Sequence, residues 1–171
     1  MSHANAVKVA GIVRDAGGRI VGRTRLQKVA YFLTIVGLED NLPFAYKHYG
    51  PYSEDLATAD RDGGLLGLLT ETEQQASWGG TYSIYSAKEP SGPSGSPARR
   101  RLASEAAAAD AIELELAATA VFLAKEGYAD PWKETERRKP EKAENGRLEK
   151  AQELYRRLSA IETPIRLPTI A

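Results

Sequence analysis

The 171-residue chain has no cysteine, which excludes disulfides, thiolate nucleophiles and cysteine-based zinc sites and favours a cytoplasmic address. It has only two histidines, His3 and His48. His3 lies at the terminus with no nucleophile beside it. His48 stands between Lys47 and Tyr49, where a ring packed in an aromatic connector with a satisfied nitrogen is expected. G-x-S-x-G, Walker A and dinucleotide fingerprints are all missing, so no enzyme class is indicated and no cofactor is expected. No apolar run approaches the roughly 20 residues that span a bilayer. The opening MSHANAVKVAGIVRDAGG lacks an apolar core followed by a small-residue cleavage site, so neither a membrane association nor a secretory signal is expected. Net charge is zero, with 23 basic and 23 acidic residues.

A metal pattern is present only in outline. Asp60, Asp62 and Glu71 fall at positions one, three and twelve of a calcium-loop template, but Gly64 replaces the ligand at position five and Leu65 the required glycine at position six. The carboxylates read as a solvated helix end, and no metal site is expected.

With 42% hydrophobic and 27% charged residues, the composition is that of one globular domain, which would bury roughly two-thirds of its unfolded surface. Charge is segregated along it. Residues 1–36 carry Lys8, Arg14, Arg19, Arg23, Arg25 and Lys28 against Asp15, and residues 37–73 carry eight acidic groups against Lys47 and Arg61. The simplest account is two blocks that face one another across the fold.

Periodicity predicts an opening helix over 4–16 ended by Gly17-Gly18, then a connector from Arg19 to Gly22. Leu26, Val29, Ala30, Leu33 and Val36 line one face of a second helix, with Thr24 and Gln27 forming a reciprocal cap at its start. Asn41-Leu42-Pro43 marks a turn into an extended aromatic connector in which Phe44, Tyr46 and Tyr49 are expected to be partly buried. A third helix should begin at Pro51 or Ser53, with Glu54 and Asp55 in its first turn and Gly63-Gly64 breaking it. Residues 70–75 and 81–87 then pair as a hairpin around Ser77-Trp78-Gly79-Gly80.

Three helices followed by a hairpin is the order of a winged helix. Residues 1–88 therefore read as a winged-helix-like half, 89–98 as a Pro/Gly/Ser-rich linker or loop, and 99–171 as a helical half packed with the first into one domain. In that second half Ile112, Leu116, Ala120 and Leu123 make a stripe, Asp130-Pro131 starts a helix that Lys139-Pro140 ends, and Leu148 to Ile161 form a last amphipathic helix. The tail, 163–168, could dock on the domain or on a partner. The fold class is mainly α, within α+β.

The run Leu26-Gln27-Lys28-Val29-Ala30-Tyr31-Phe32-Leu33, then Tyr46-Lys47-His48-Tyr49-Gly50-Pro51-Tyr52-Ser53 and Leu56, resembles the small prokaryotic proteins of the YwgA-like and SocA-like group, whose antitoxin branch is called the Panacea domain. The likeness extends to 114–123, to Lys139-Pro140-Glu141-Lys142 and to 151–158, and so covers most of the chain. It implies a non-enzymatic protein-binding module without catalytic residues, an antitoxin-like neutraliser of a toxin or a component of a phage-defence or mobile-element locus.

Two sets of candidate residues follow. Tyr49, Tyr52, Trp78 and Tyr82 are amphipathic aromatics of the kind enriched at protein interfaces, with Trp78 at a hairpin tip that has little core to bury it. The alternative partner is DNA, held by Arg19, Arg23, Arg25 and Lys28 or by Arg99, Arg100 and Arg101. It is disfavoured because the third helix, which a winged helix commonly places in the major groove, is net acidic.

Overall fold

A computed structural model describes residues 2–87 and 95–170. The first half runs α1 (Ser2–Asp15), β1 (Arg19–Val21), α2 (Arg23–Ile35), β2 (Ala45–Lys47), β3 (Gly50–Tyr52), α3 (Glu54–Leu65), β4 (Leu69–Gln75) and β5 (Thr81–Ala87). The second half is helical: α4 (Pro97–Ala108), α5 (Ala111–Lys125), α6 (Pro131–Arg138), α7 (Pro140–Ala143) and α8 (Arg147–Ser159). This is a mainly helical α+β fold. Among the described residues no helix is long and apolar enough to cross a membrane.

Helix α5 is the axis of the second half. Residues Leu114 to Val121 are all buried, because α2, α6 and α8 pack around it. A single cluster of buried side chains runs from Val9 and Ile12 of α1 through Phe32 of α2 and Leu102 of α4 to Leu116 of α5 and Leu154 of α8. Local chemistry sets several helix starts. Ser53 Oγ accepts from the Leu56 amide at 3.2 Å, with Glu54 and Asp55 following in the first turn of α3. Asp110 accepts from the amides of Ile112 and Glu113, and Asp130 from that of Lys133 ahead of Pro131.

Three antiparallel strands form a sheet in the order β1-β5-β4, with Ile20 opposite Tyr85 and Thr72 opposite Ile84. The connector expected at Arg19–Gly22 is thus mostly a strand. Its Ile20 is buried, and β5 offers it an edge that no local pattern announces. A separate two-stranded ribbon, β2-β3, is closed by His48 and Tyr49.

Three other expectations are corrected by tertiary contacts. Helix α2 begins directly after Gly22 with no side-chain cap, so Thr24 and Gln27 do not form a capping box. Gln27 is instead committed to Ser53, accepting from its amide at 2.8 Å and donating to its carbonyl at 3.1 Å. Pro51 lies in β3 and not in a first helical turn. Gly63 and Gly64 do not break α3, which continues to Leu65; Gly63 is buried, and a Cβ there would stand at ordinary van der Waals distance from Leu69, 3.4 Å, and from the Ala6 carbonyl of α1, 3.9 Å.

The 89–98 linker lies largely outside the described residues. Its end belongs to α4, where Ser96 accepts from the Arg99 amide and Pro97 occupies the first turn. The tail docks on the domain. The Ile165 amide donates to Val36 O at 2.9 Å, the Tyr155 hydroxyl donates to Pro168 O, and Leu167 and Ile170 pack on the core.

A tight junction between the two halves lies at Gly50, whose φ is +91° and where a Cβ would stand 2.7 Å from Thr119 Oγ1 of α5. Gly50→Ala combines a left-handed backbone with that clash, and it should cost about 3 kcal/mol. Gly127→Ala is the control, since Gly127 has φ +95° with nothing within 4 Å, and it should lose only the backbone share, about 1 kcal/mol. Urea unfolding of the two variants measures the difference.

Candidate functional site

The residues that carry the resemblance meet in a buried polar knot between α2, the β2-β3 ribbon, α5 and α7. Lys28 is 1% exposed and donates to Pro51 O at 2.7 Å. Burial, with Lys139 and Lys142 nearby, pushes its ammonium down to about 8 despite the opposing pull of Glu115. Glu115, itself buried, takes Lys139 at 2.9 Å and Lys142 at 2.7 Å. Lys139 also donates to His48 O at 3.3 Å, and Lys142 sits 4.7 Å from the centre of the Tyr49 ring. These contacts hold the ribbon against the helical half.

What they hold out toward solvent is a concavity of about 820 Å3. Val21 to Arg25 form its floor at the start of α2, Tyr49 comes from the ribbon, Ala111 from α5, and Glu73, Gln75, Trp78, Thr81, Tyr82 and Ser83 from the β4-β5 hairpin. Trp78 is 74% exposed and Tyr49 53%. The Trp78 ring lies over Gly80, where any side chain would displace it.

Three of the four aromatic candidates, Tyr49, Trp78 and Tyr82, therefore share one concavity, although they come from positions far apart in the chain. Tyr49 was expected to be partly buried and is exposed, because the two-residue turn points away from the core; His48, also exposed, stacks edge-on against it at 5.2 Å rather than packing inside. Tyr52 is half-buried and lines a second, smaller cavity.

The basic candidates do not form one patch. Lys28 is in the core, and Arg99 is largely buried, bonded to Asp15 at 2.5 Å, to Glu39 at 3.0 Å and to Leu38 O. Burial pushes the Asp15 carboxyl up, but the Gly95 amide and the Arg99 and Arg14 guanidinium groups outweigh it and hold it below its ordinary range. Arg25 is spent on Ala109 O and Val21 O. Arg19, Arg23, Arg100 and Arg101 are exposed. The two charge blocks do meet, through Lys8–Asp40 at 3.3 Å and Arg23–Glu71 at 3.6 Å.

The smaller cavity, about 210 Å3, brings together residues that sequence reasoning named in other roles, or, for Tyr85, did not single out as a candidate site residue. Asp60 of α3, Glu71 of β4, Tyr85 of β5 and Arg23 of α2 converge there, with Tyr52, Leu26 and Ala57 around them. Ser83 donates to Glu71 at 2.6 Å. Asp60 Oδ1 and the Tyr85 hydroxyl are buried and make no hydrogen bond among the described residues. One signal was available: Asp60 lies four residues after the buried Leu56, which places a carboxylate on the apolar stripe of α3.

Burial, followed by the charge of Glu71, pushes Asp60 up to about 7 against the weaker pull of Arg23 and Arg61. A carboxyl raised in the folded state stabilises fully below the unfolded value, near 4, and loses that contribution as pH rises through 7. Asp60→Asn should therefore gain about 1 kcal/mol over the native chain at pH 8.5, a figure reduced for solvent screening, and gain nothing at pH 3.5. Urea midpoints at the two pH values check the sign.

No family model matches the chain, and no solved structure matches it. A 39-residue stretch, 23% of the chain, is 51% identical to part of a DNA ADP-ribosyl glycohydrolase of Thermus aquaticus (strain ATCC BAA-2747 / Y51MC23), and it covers 11% of that protein's length.

Proposed function

We propose that this chain is a non-enzymatic protein-binding module, an antitoxin-like neutraliser that works by masking a partner's surface. The observation that carries this reading is the convergence of Tyr49, Trp78, Tyr82 and Arg23 on one concavity, with Trp78 74% exposed. An indole held open to water on a glycine-backed hairpin tip is costly unless something covers it. Among the described residues its lining carries one carboxylate, Glu73, beside the guanidinium groups of Arg23 and Arg25.

The framework is a winged helix in this reading. Helix, strand, helix, helix and hairpin, with the β2-β3 ribbon inserted between the second and third helices and the first strand joined to the hairpin in the order β1-β5-β4, support it. The helix that would then face a major groove is α3, with Glu54, Asp55, Asp60 and Asp62 against Arg61. That charge, and the burial of Lys28 and Arg99, weigh against DNA as the partner.

The test is capture of partners from the native lysate by the tagged chain, with and without nuclease and with elution in salt steps. A nuclease-resistant protein should be retained at stoichiometric level by the wild type and at least tenfold more weakly by Trp78→Ala or Tyr49→Ala. Material lost on nuclease treatment, or a complex indifferent to both substitutions in folded variants, would overturn the assignment.

A further inference from the structure

The 210 Å3 cavity between α2, α3 and the sheet is adjacent to the proposed interface and shares Arg23 with it. It differs in chemistry. Its floor carries two oxygen atoms, Asp60 Oδ1 and Tyr85 Oη, that are out of contact with water and unpaired among the described residues. Tyr85 is 0% exposed, so its hydroxyl cannot turn to solvent. Burying such groups without partners is costly, and a structure that keeps two of them at one cavity leaves room for an occupant that satisfies both.

The shape and charge of the lining specify that occupant. Leu26 and Ala57 give an apolar wall and Tyr52 an aromatic one, and Asp60, Glu71 and Tyr85 gather acceptors there, with Arg23 and Arg61 as the chain's own cations beside them. An apolar stem beside an aromatic face with a carboxylate at its end is the environment of a lysine or arginine side chain. The chain's own Arg23 shows that a guanidinium is accepted there. It approaches Glu71 only to 3.6 Å, lies near the Tyr85 hydroxyl without a well-formed hydrogen bond to it, and is 73% exposed, a cation at the mouth of the cavity that another can replace.

We propose that this cavity receives a basic side chain, lysine or arginine, presented by the partner that covers the neighbouring concavity. The proposal rests on the protein-binding reading for its partner but not for its chemistry. Both oxygens are closed off while Arg23 is in place, so the incoming head group donates to Asp60 Oδ1 and Tyr85 Oη only as Arg23 leaves, and its stem lies along Leu26, Ala57 and Tyr52. Arg23 swings away from Glu71 toward the larger concavity, which it already lines.

Binding of a cation is linked to a proton. Asp60 faces Arg23 from α2, Arg61 from its own helix, Glu71 from β4 and Tyr85 from β5, and its carboxyl, raised to about 7, must ionise to pair with the incoming charge. Affinity should therefore rise about tenfold between pH 6 and pH 8, the change in the ionised fraction of a group titrating midway.

Methylguanidinium is the probe, titrated into the isolated full-length chain and followed by NMR of the backbone amides and of the Asp60 carboxyl carbon. The expected result is saturable binding with a dissociation constant of about 1–10 mM, shifts centred on Asp60 and Tyr85, and the tenfold gain at the higher pH. Asp60→Asn should weaken it at least tenfold and abolish the pH dependence, and Tyr85→Phe should weaken it about threefold; Glu54→Gln, an exposed carboxylate on the same helix, should change neither. Amide spectra of each variant show whether it is folded, and Tyr85→Phe removes one oxygen without changing the core volume. Linear shifts without saturation, binding unchanged in both variants, or affinity that falls with pH would overturn the proposal and leave only ordered water to fill the cavity. Because the probe needs no partner, these outcomes are separate from failure of the capture experiment.

Discussion

Two neighbouring side chains of α2, Gln27 and Lys28, set the architecture of this protein by ending on the backbone of Gly50–Ser53. Gln27 pairs with both the amide and the carbonyl of Ser53, much as another strand would, and Ser53 in turn caps α3. Lys28 takes Pro51 O. A buried ammonium and a buried carboxamide are tolerable only while those partners stay in place, so α2, β3 and α3 are held in one relative position. Gly50 completes the junction, since no side chain fits between its backbone and Thr119 of α5.

The same junction explains what a motif of apparently chemical residues does in the fold. Lysine, glutamine, glycine, proline and serine at these positions resemble a binding loop when read in line. In the fold they face inward, and their effect is to fix the ribbon tip, with Lys139 and Lys142 steadying His48 and Tyr49 from the helical side. The exposed aromatics and Arg23 then surround a concavity whose walls come from three rigid elements, a placement that suits binding better than any one of the segments could alone.

Close to that concavity the fold leaves a polar arrangement unresolved. Asp60, Glu71, Tyr85 and Arg23 compete for too few partners, and burial shifts the Asp60 carboxyl into the neutral range. Departures of this kind from local satisfaction are where function is to be sought in an otherwise well-packed domain.

Much of the fold was legible from the order of residues alone. The Ser53 and Asp130 caps, the β4-β5 hairpin around Trp78-Gly79-Gly80 and the apolar faces of α2, α5 and α8 depend on residues within a few positions of one another, where periodicity and turn chemistry act directly. The exposure of Trp78 was legible for the same reason. Strand β1, the commitment of Gln27, the continuity of α3 through Gly63, and the burial of Lys28 and Arg99 were decided only by the tertiary structure. Each depends on a partner more than five positions away, such as Tyr85 for Ile20, Ser53 for Gln27, Leu69 for Gly63 and Asp15 for Arg99, and local propensity is silent about which distant group will be there. The site lies on the same side of that divide, because its aromatics and carboxylates are brought together by packing between elements and by nothing in their spacing.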